Sequence, residues 1–190
     1  MSQPQDVTEA ESQLRRVVRA TAGLTIVTGG QTGVDSHAAH AALAAGLPVH
    51  VVFPAGLRQE DGPLTPARRR RLAGVQLHEL GPDGFDYRTW TCVYVSDAVL
   101  LLDPAGGAGC QETARAARSL GRPLLAPAPG ELTAAGAADW LTGTAARVVL
   151  VAGCRASLLT RHRAGGQVRA DVAGFTAAAR QRHQTLLAAP

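Results

Sequence analysis

Leu24-Thr25-Ile26-Val27-Thr28-Gly29-Gly30-Gln31-Thr32-Gly33-Val34-Asp35 begins as an apolar, β-branched run, turns through glycines and leads straight into an alanine-rich helical pattern. Strand, glycine loop and helix in that order build an anion site. Glycines permit positive φ and close approach of a ligand, and the first helical N–H groups point outward without partners. One such loop is also an ordinary connector. The chain repeats the order, however: Ala98 to Leu102 runs into Asp103-Pro104-Ala105-Gly106-Gly107-Ala108-Gly109, and a helical segment follows. Two cradles are therefore expected, one of Gly29, Gly30, Gln31, Thr32 and Gly33, the other of Gly106, Gly107, Ala108 and Gly109. Lying at the same ends of two strands, they predict a phosphate- or nucleotide-binding cleft.

Working outward, the pattern predicts a helix over Glu9–Ala20, a strand over Leu24–Thr28 and a helix over Val34–Ala45, which Gly46 and Pro48 stop. A strand over Val49–Phe53, a polar loop over Pro54–Thr65, a short basic helix with Arg68 to Arg71 and a strand over Val75–Glu79 come next. Asp86–Val95 fits either a strand, by its aromatic and β-branched residues, or a helix capped by Asp86. Beyond it the alternation is regular: strand Ala98–Leu102, helix Gly109–Leu120, strand Pro123–Ala126, helix Glu131–Leu141, strand Arg147–Val151. After Thr160 the chain is glycine-interrupted and arginine-rich, then amphipathic from Asp171 to Leu187. Continuous apolar strands alternating with helices mean an α/β fold, a mostly parallel sheet with helices on both faces. In such sheets ligands bind outside the carboxyl ends of the strands, where both glycine loops fall.

Composition narrows the chemistry. All 19 basic residues are arginine and the net charge is +4. Without lysine there is neither a P-loop lysine nor a Schiff base, which excludes Walker-type NTPases and pyridoxal-phosphate enzymes. Arginine is instead the better fork for phosphate. No apolar run reaches the ~18 residues of a membrane span, and Met1 to Thr8 carries no secretory signal, so a cytoplasmic protein without membrane contact is expected. Cys92, Cys110 and Cys154 show no zinc or disulfide spacing, and no metal centre is expected.

Individual residues have competing readings. The first loop lacks the G-x-G-x-x-G spacing, which disfavours NAD. Arg88 reaches a bound phosphate or pairs with Asp86. Asp35 sits in the first turn of its helix, where the dipole favours a carboxylate; to leave room for phosphate it must turn aside or meet a ligand's hydroxyls or amines. Cys110 at a helix N-terminus reads as a packed small residue before a reactive thiol or soft-metal ligand. His37 and His40 share a helix face but have no carboxylate partner and do not make a metal site. Arg68 to Arg71 on one short helix mark a solvated face before a source of ligand charge or a nucleic-acid contact, and Arg161, Arg163 and Arg169 invite the same question. Nucleic acid is not the expected partner, because no aromatic stacking set accompanies them.

Gly29-Gly30-Gln31-Thr32-Gly33-Val34-Asp35, Pro54-Ala55-Gly56-Leu57-Arg58-Gln59-Glu60-Asp61-Gly62, Tyr87-Arg88-Thr89, Ser96-Asp97, Gly106-Gly107 and Ala152-Gly153-Cys154-Arg155-Ala156-Ser157 together resemble, in order, the molybdenum cofactor carrier family. The likeness spans residues 24 to 158. It implies a three-layer Rossmann-like fold related to the LOG-type phosphoribohydrolases, a homo-oligomer, and a phosphorylated pterin (the molybdenum cofactor, molybdopterin) or a nucleotide held by both loops. The resemblance adds Asp97 and Arg155 to the ligand set and makes Arg88 the phosphate clamp. It divides the chain into an N-terminal helix (1–22), a ligand-binding domain (23–160) and a basic C-terminal tail or helix (161–190). Departures accompany it: Asp35-Ser36 stands for the family's Asp-Arg, Pro54-Ala55-Gly56 for Pro-Lys-Gly, and His40 for an aspartate. The alternative is a LOG-type nucleoside 5′-monophosphate phosphoribohydrolase that works with Arg88 and Glu112. There the family's catalytic glutamate falls on Thr113, and Glu112 lies one residue earlier, about 100° around a helix. The binding role is the favoured expectation.

Overall fold

The computed structural model describes residues 8–81, 84–103 and 106–189, so most of the polar N-terminal stretch and Pro104 and Ala105 of the second loop lie outside the described residues. Helix α1 (Glu9–Arg19) starts from a capping box in which Thr8 and Glu11 bond reciprocally. It leads to β1 (Thr25–Thr28), α2 (Val34–Ala44) and β2 (Val49–Phe53). The expected polar loop contains a 3₁₀ turn and a small antiparallel ribbon of β3 (Arg58–Gln59) and β4 (Gly62–Pro63). Then come α3 (Pro66–Arg71) and β5 (Gln76–Glu79).

The ambiguous segment is a helix, α4 (Gly84–Val95). It is followed by β6 (Ala98–Leu102), α5 (Ala108–Ser119), β7 (Leu124–Leu125), α6 (Ala134–Thr144) and β8 (Val148–Gly153). Helix α6 begins three residues later than Glu131 because Thr133 caps it, accepting from Gly136 N at 3.1 Å. The chain closes with α7 (Ala156–Arg161) and α8 (Gly165–Ala188). Gly165 and Gly166 interrupt nothing; they open a single 24-residue helix.

The main sheet has six strands in the order β5-β2-β1-β8-β6-β7, all parallel. Strands β1, β2 and β6 are buried along their whole length, which is why they read as unbroken apolar runs. Helices α2, α6 and α8 pack together, as do α1, α4 and α5, giving three layers. The last strand, β8, inserts between β1 and β6. Connections from β1 and β6 depart in opposite directions, so the loops after β1, β8 and β6 stand side by side at the carboxyl edge. That is the switch point where a parallel sheet leaves a crevice.

Candidate functional site

The crevice is a cavity of about 250 Å³ walled by those three loops and by α4. Gln31 and Asp35 come from the first loop and its helix, Gly107, Ala108, Gly109, Cys110 and Thr113 from the second, and Gly153, Cys154 and Arg155 from the end of β8. Phe85, Asp86 and Arg88 of α4 and Glu60 of the ribbon complete the wall. The two glycine loops therefore meet at one site, yet they are built differently.

In the first loop each glycine is needed by the protein's own packing. A Cβ on Gly29 would lie 1.3 Å from Arg88 Nη1, and one on Gly30 2.6 Å from the Phe53 ring. On Gly33, whose φ is +80°, it would lie 2.3 Å from the Cys154 carbonyl oxygen. The Gln31 amide is also occupied. Asp35 does not turn aside: its carboxylate folds back to accept from Gln31 N at 3.1 Å, and the Gly29 and Gly153 amides favour its charged form as well. The nest that the sequence reserves for a ligand's phosphate thus holds a carboxylate of the chain itself. Arg88 is its counter-ion, with Nη1 3.6 Å from Asp35 Oδ2, rather than a partner of Asp86. Burial nevertheless dominates and raises Asp35 to about 6, against the pull of Arg88 and the three amides.

The second loop is open. A Cβ on Gly106 or Gly109 would meet nothing within 4 Å, and one on Gly107 only Leu158 Cδ1 at 3.1 Å. Gly107 is the N-cap of α5, and Asp103 Oδ1 accepts from its N–H at 3.3 Å. Among the described residues none accepts from the next two amides, Ala108 and Gly109, and both residues line the cavity. The first turn of α5 itself carries no acidic residue, and the one carboxylate at this end is Asp103, bound at the N-cap.

Two arginines line the same cavity. Arg88 is buried, its Nε has no hydrogen-bond partner, and its guanidinium lies 5.9 Å from the Phe85 ring centroid. Arg155, the N-cap of α7, is half-exposed with Nε 3.7 Å from Glu60 Oε2. Glu60 escaped the sequence reading because its partners lie far along the chain. It accepts from Ser157 Oγ at 2.5 Å and from the Thr32 hydroxyl. Burial raises its pKa, but the hydrogen bonds from Ser157 and Thr32, with Arg155 beside it, hold it below the usual carboxylate value. Thr32 itself is absorbed in this latch and in accepting from Ala156 N at 3.1 Å.

Two expected site residues lie elsewhere. Asp97 precedes β6 at the amino edge of the sheet, accepts from Arg147 N and Val148 N at 3.1 and 3.0 Å, and pairs with Arg19. A ligand at the carboxyl edge is out of its reach. Glu112 accepts from Trp90 Nε1 and Arg115 Nη2, each at 2.5 Å, and is not among the residues of the cavity wall. Thr113, one residue on, is in the wall, as the rotation about α5 requires. The hydrolase pairing of Arg88 with Glu112 is therefore not assembled.

A third grouping had no sequence signal. Asp103, Cys110 and Cys154 bring a carboxylate oxygen and two sulfurs within 4.8 Å of one another. Hydrogen bonding to Cys154, burial and Asp103 together push the Cys110 thiol up, opposite to the thiolate expected of a bare helix N-terminus.

The model of the circularly permutated YpsA SLOG family matches residues 26–161. Among solved structures, a protein of Syntrophus aciditrophicus SB described as a "Putative molybdenum carrier protein" is similar at TM-score 0.66 and 24% identity, over 82% of this chain and 95% of that one. The protein AtPrR2, in apo form, is more distant, with TM-score 0.38 and 16% identity over 70% of this chain and 49% of that one. No curated protein matches the chain.

Proposed function

Because the chain belongs to the circularly permutated YpsA SLOG family, we propose that it is a binding protein for a phosphate-bearing heterocycle, of the molybdenum-cofactor or nucleotide type. The observation that carries this reading is the pair of unclaimed amides, Ala108 and Gly109, at the open end of a 12-residue helix. Gly109, where a Cβ would meet nothing within 4 Å, leaves room for something else. A phosphate there accepts two backbone hydrogen bonds at the positive helix end and meets Arg88 and Arg155 from the opposite wall. Phe85, 39% exposed at the rim, offers a flat apolar face to a pterin or purine ring. The first glycine loop contributes the wall and the Asp35–Arg88 pair rather than a second phosphate cradle. The Syntrophus protein of similar fold is described as a "Putative molybdenum carrier protein", and the molybdenum-cofactor form of this reading agrees with that description. The role is to shelter rather than to transform: Glu112, the carboxylate that the hydrolase reading needs, is bound to Trp90 and Arg115.

The test is native mass spectrometry of freshly purified protein, with ultraviolet absorbance of whatever acid releases, alongside Gly109→Glu. A glutamate in the first turn favours the helix but repels an anion. The variant keeps its melting temperature and loses the bound species, and its affinity for AMP falls at least about tenfold, equivalent to about 1.4 kcal/mol. Undiminished AMP binding by Gly109→Glu would overturn the assignment. Incubation with AMP is expected to release no free adenine.

A further inference from the structure

Two sulfurs and one carboxylate converge beside the start of α5, where Asp103 caps Gly107 and both cysteines line the cleft, and the phosphate reading uses neither sulfur. Their convergence follows from register. Strands β6 and β8 pair in parallel with Leu102 opposite Gly153, so the next residues, Asp103 and Cys154, leave the sheet side by side. Cys154 Sγ donates to Asp103 Oδ1 at 2.8 Å. Helix α5 then returns over the same edge and brings Cys110, in its first turn, to the pair. Both cysteines are nearly inaccessible, at 5% and 1%, yet both contribute to the cavity wall, so the route to their sulfurs is through the cleft.

We propose that Asp103, Cys110 and Cys154 form a binding site for a thiophilic divalent cation of the zinc type, with its remaining coordination position turned toward the cavity. Zinc bonds sulfur at about 2.3 Å and carboxylate oxygen at about 2.0–2.2 Å, so three ligands on a tetrahedral ion lie roughly 3.5–3.8 Å apart. Donors within 4.8 Å of one another reach that spacing with small side-chain rotations. Two sulfurs with one oxygen select a soft or borderline ion and disfavour calcium and magnesium, which take all-oxygen shells. Charge and protons balance simply: the ion enters, both thiols release their protons to solvent, and the carboxylate binds as it stands. The fourth position takes water, or an oxygen or sulfur of a molecule in the cleft. Three protein ligands with one open place is the arrangement of an exchanging site rather than a closed structural one. This site does not depend on the phosphate reading, since the metal alone is its ligand.

The experiment uses full-length protein stripped of metal by a chelator and kept reduced by a non-thiol reductant. Titration with Cd²⁺ is read by the ultraviolet thiolate-to-metal charge-transfer band, and Zn²⁺ by competition with a chromogenic chelator. One ion per chain is expected, with affinity about 100-fold lower in Cys110→Ser and in Cys154→Ser, and about 10-fold lower in Asp103→Asn. Circular dichroism verifies that each variant is folded; should a serine variant unfold, Asp103→Asn and the wild-type charge-transfer band decide the matter. No such band in reduced wild type overturns the site, and so do folded variants that bind as wild type does. A Cys110–Cys154 disulfide that forms in preference to metal binding under reductant has the same consequence.

Discussion

Asp35 gives the folded chain a clear pH dependence at a single residue. Its burial raises the carboxyl from 3.8 to about 6, so the folded chain holds a proton that the unfolded chain releases between those values. Stability from this group is therefore fully present at low pH and is lost as pH rises from about 4 to about 6, by roughly 3 kcal/mol. His50 runs the other way. Buried in β2 and stacked on His78 with ring centroids 5.1 Å apart, it is lowered from 6.5 to about 4, first by burial and then by His78. Acid between those values protonates only the unfolded chain at this position and lowers stability. The two slopes oppose each other, so wild type alone is uninformative and a difference is needed. Urea unfolding of wild type and Asp35→Asn, stepped from pH 4 to pH 8, isolates the carboxyl. The stability difference is expected to change between about 4 and 6 and to be flat above 7; a difference flat throughout contradicts the burial of Asp35. The sequence made Asp35 visible as a first-turn carboxylate. It did not reveal that the side chain folds back into its own loop, because that depends on Arg88 arriving from α4.

Among the elements, α8 shows how much a tail can conceal. Its arginines and paired glycines read as an interruption before an amphipathic segment from Asp171, whereas the helix runs unbroken from Gly165, with Val168, Val172 and Phe175 buried, and packs on α2 and α6. Asp171, 1% exposed, accepts from Gly130 N at 2.8 Å and Leu132 N at 3.0 Å, binding α8 to the loop that leads into α6. Asp171→Ala leaves both amides without a partner and is expected to cost about 2–3 kcal/mol. In a chain of this size that is a fall of about 5–10 °C in melting temperature by calorimetry; a change below about 2 °C would contradict the role. At the end of β8, a Cβ on Gly153 would lie 2.1 Å from the Leu102 carbonyl oxygen of β6. Gly153→Ala must push β8 away from β6 and is expected to lose about 3 kcal/mol in urea unfolding; stability within about 0.5 kcal/mol of wild type would contradict it. The parallel strands and most helices were legible from period and stop signals alone. Positions set by partners distant in sequence were not: Glu60 across from Ser157, Glu112 under Trp90, and Asp97 at the far edge. Asp103, Cys110 and Cys154 have no readable spacing because strand register, not sequence interval, assembles them.

At the scale of the whole molecule, the insertion of β8 between β1 and β6 is what makes a site. It sets three loops in a row at one edge of the sheet and lets α4 close the crevice from the side. The resulting pocket is asymmetric. One glycine loop holds its own carboxylate and arginine against the Gln31 amide, and the other presents the unclaimed amides of Ala108 and Gly109 to the cavity. On the proposed reading, a phosphate that enters this pocket rests at the start of α5. The decisive measurement is a titration of ¹⁵N-labelled protein with AMP, followed by amide chemical shifts. The largest movements are expected at Ala108 and Gly109, with little change at Gln31, whose amide Asp35 already holds. Saturable shifts centred on Gln31, or none at Ala108 and Gly109, would contradict the placement of the anion.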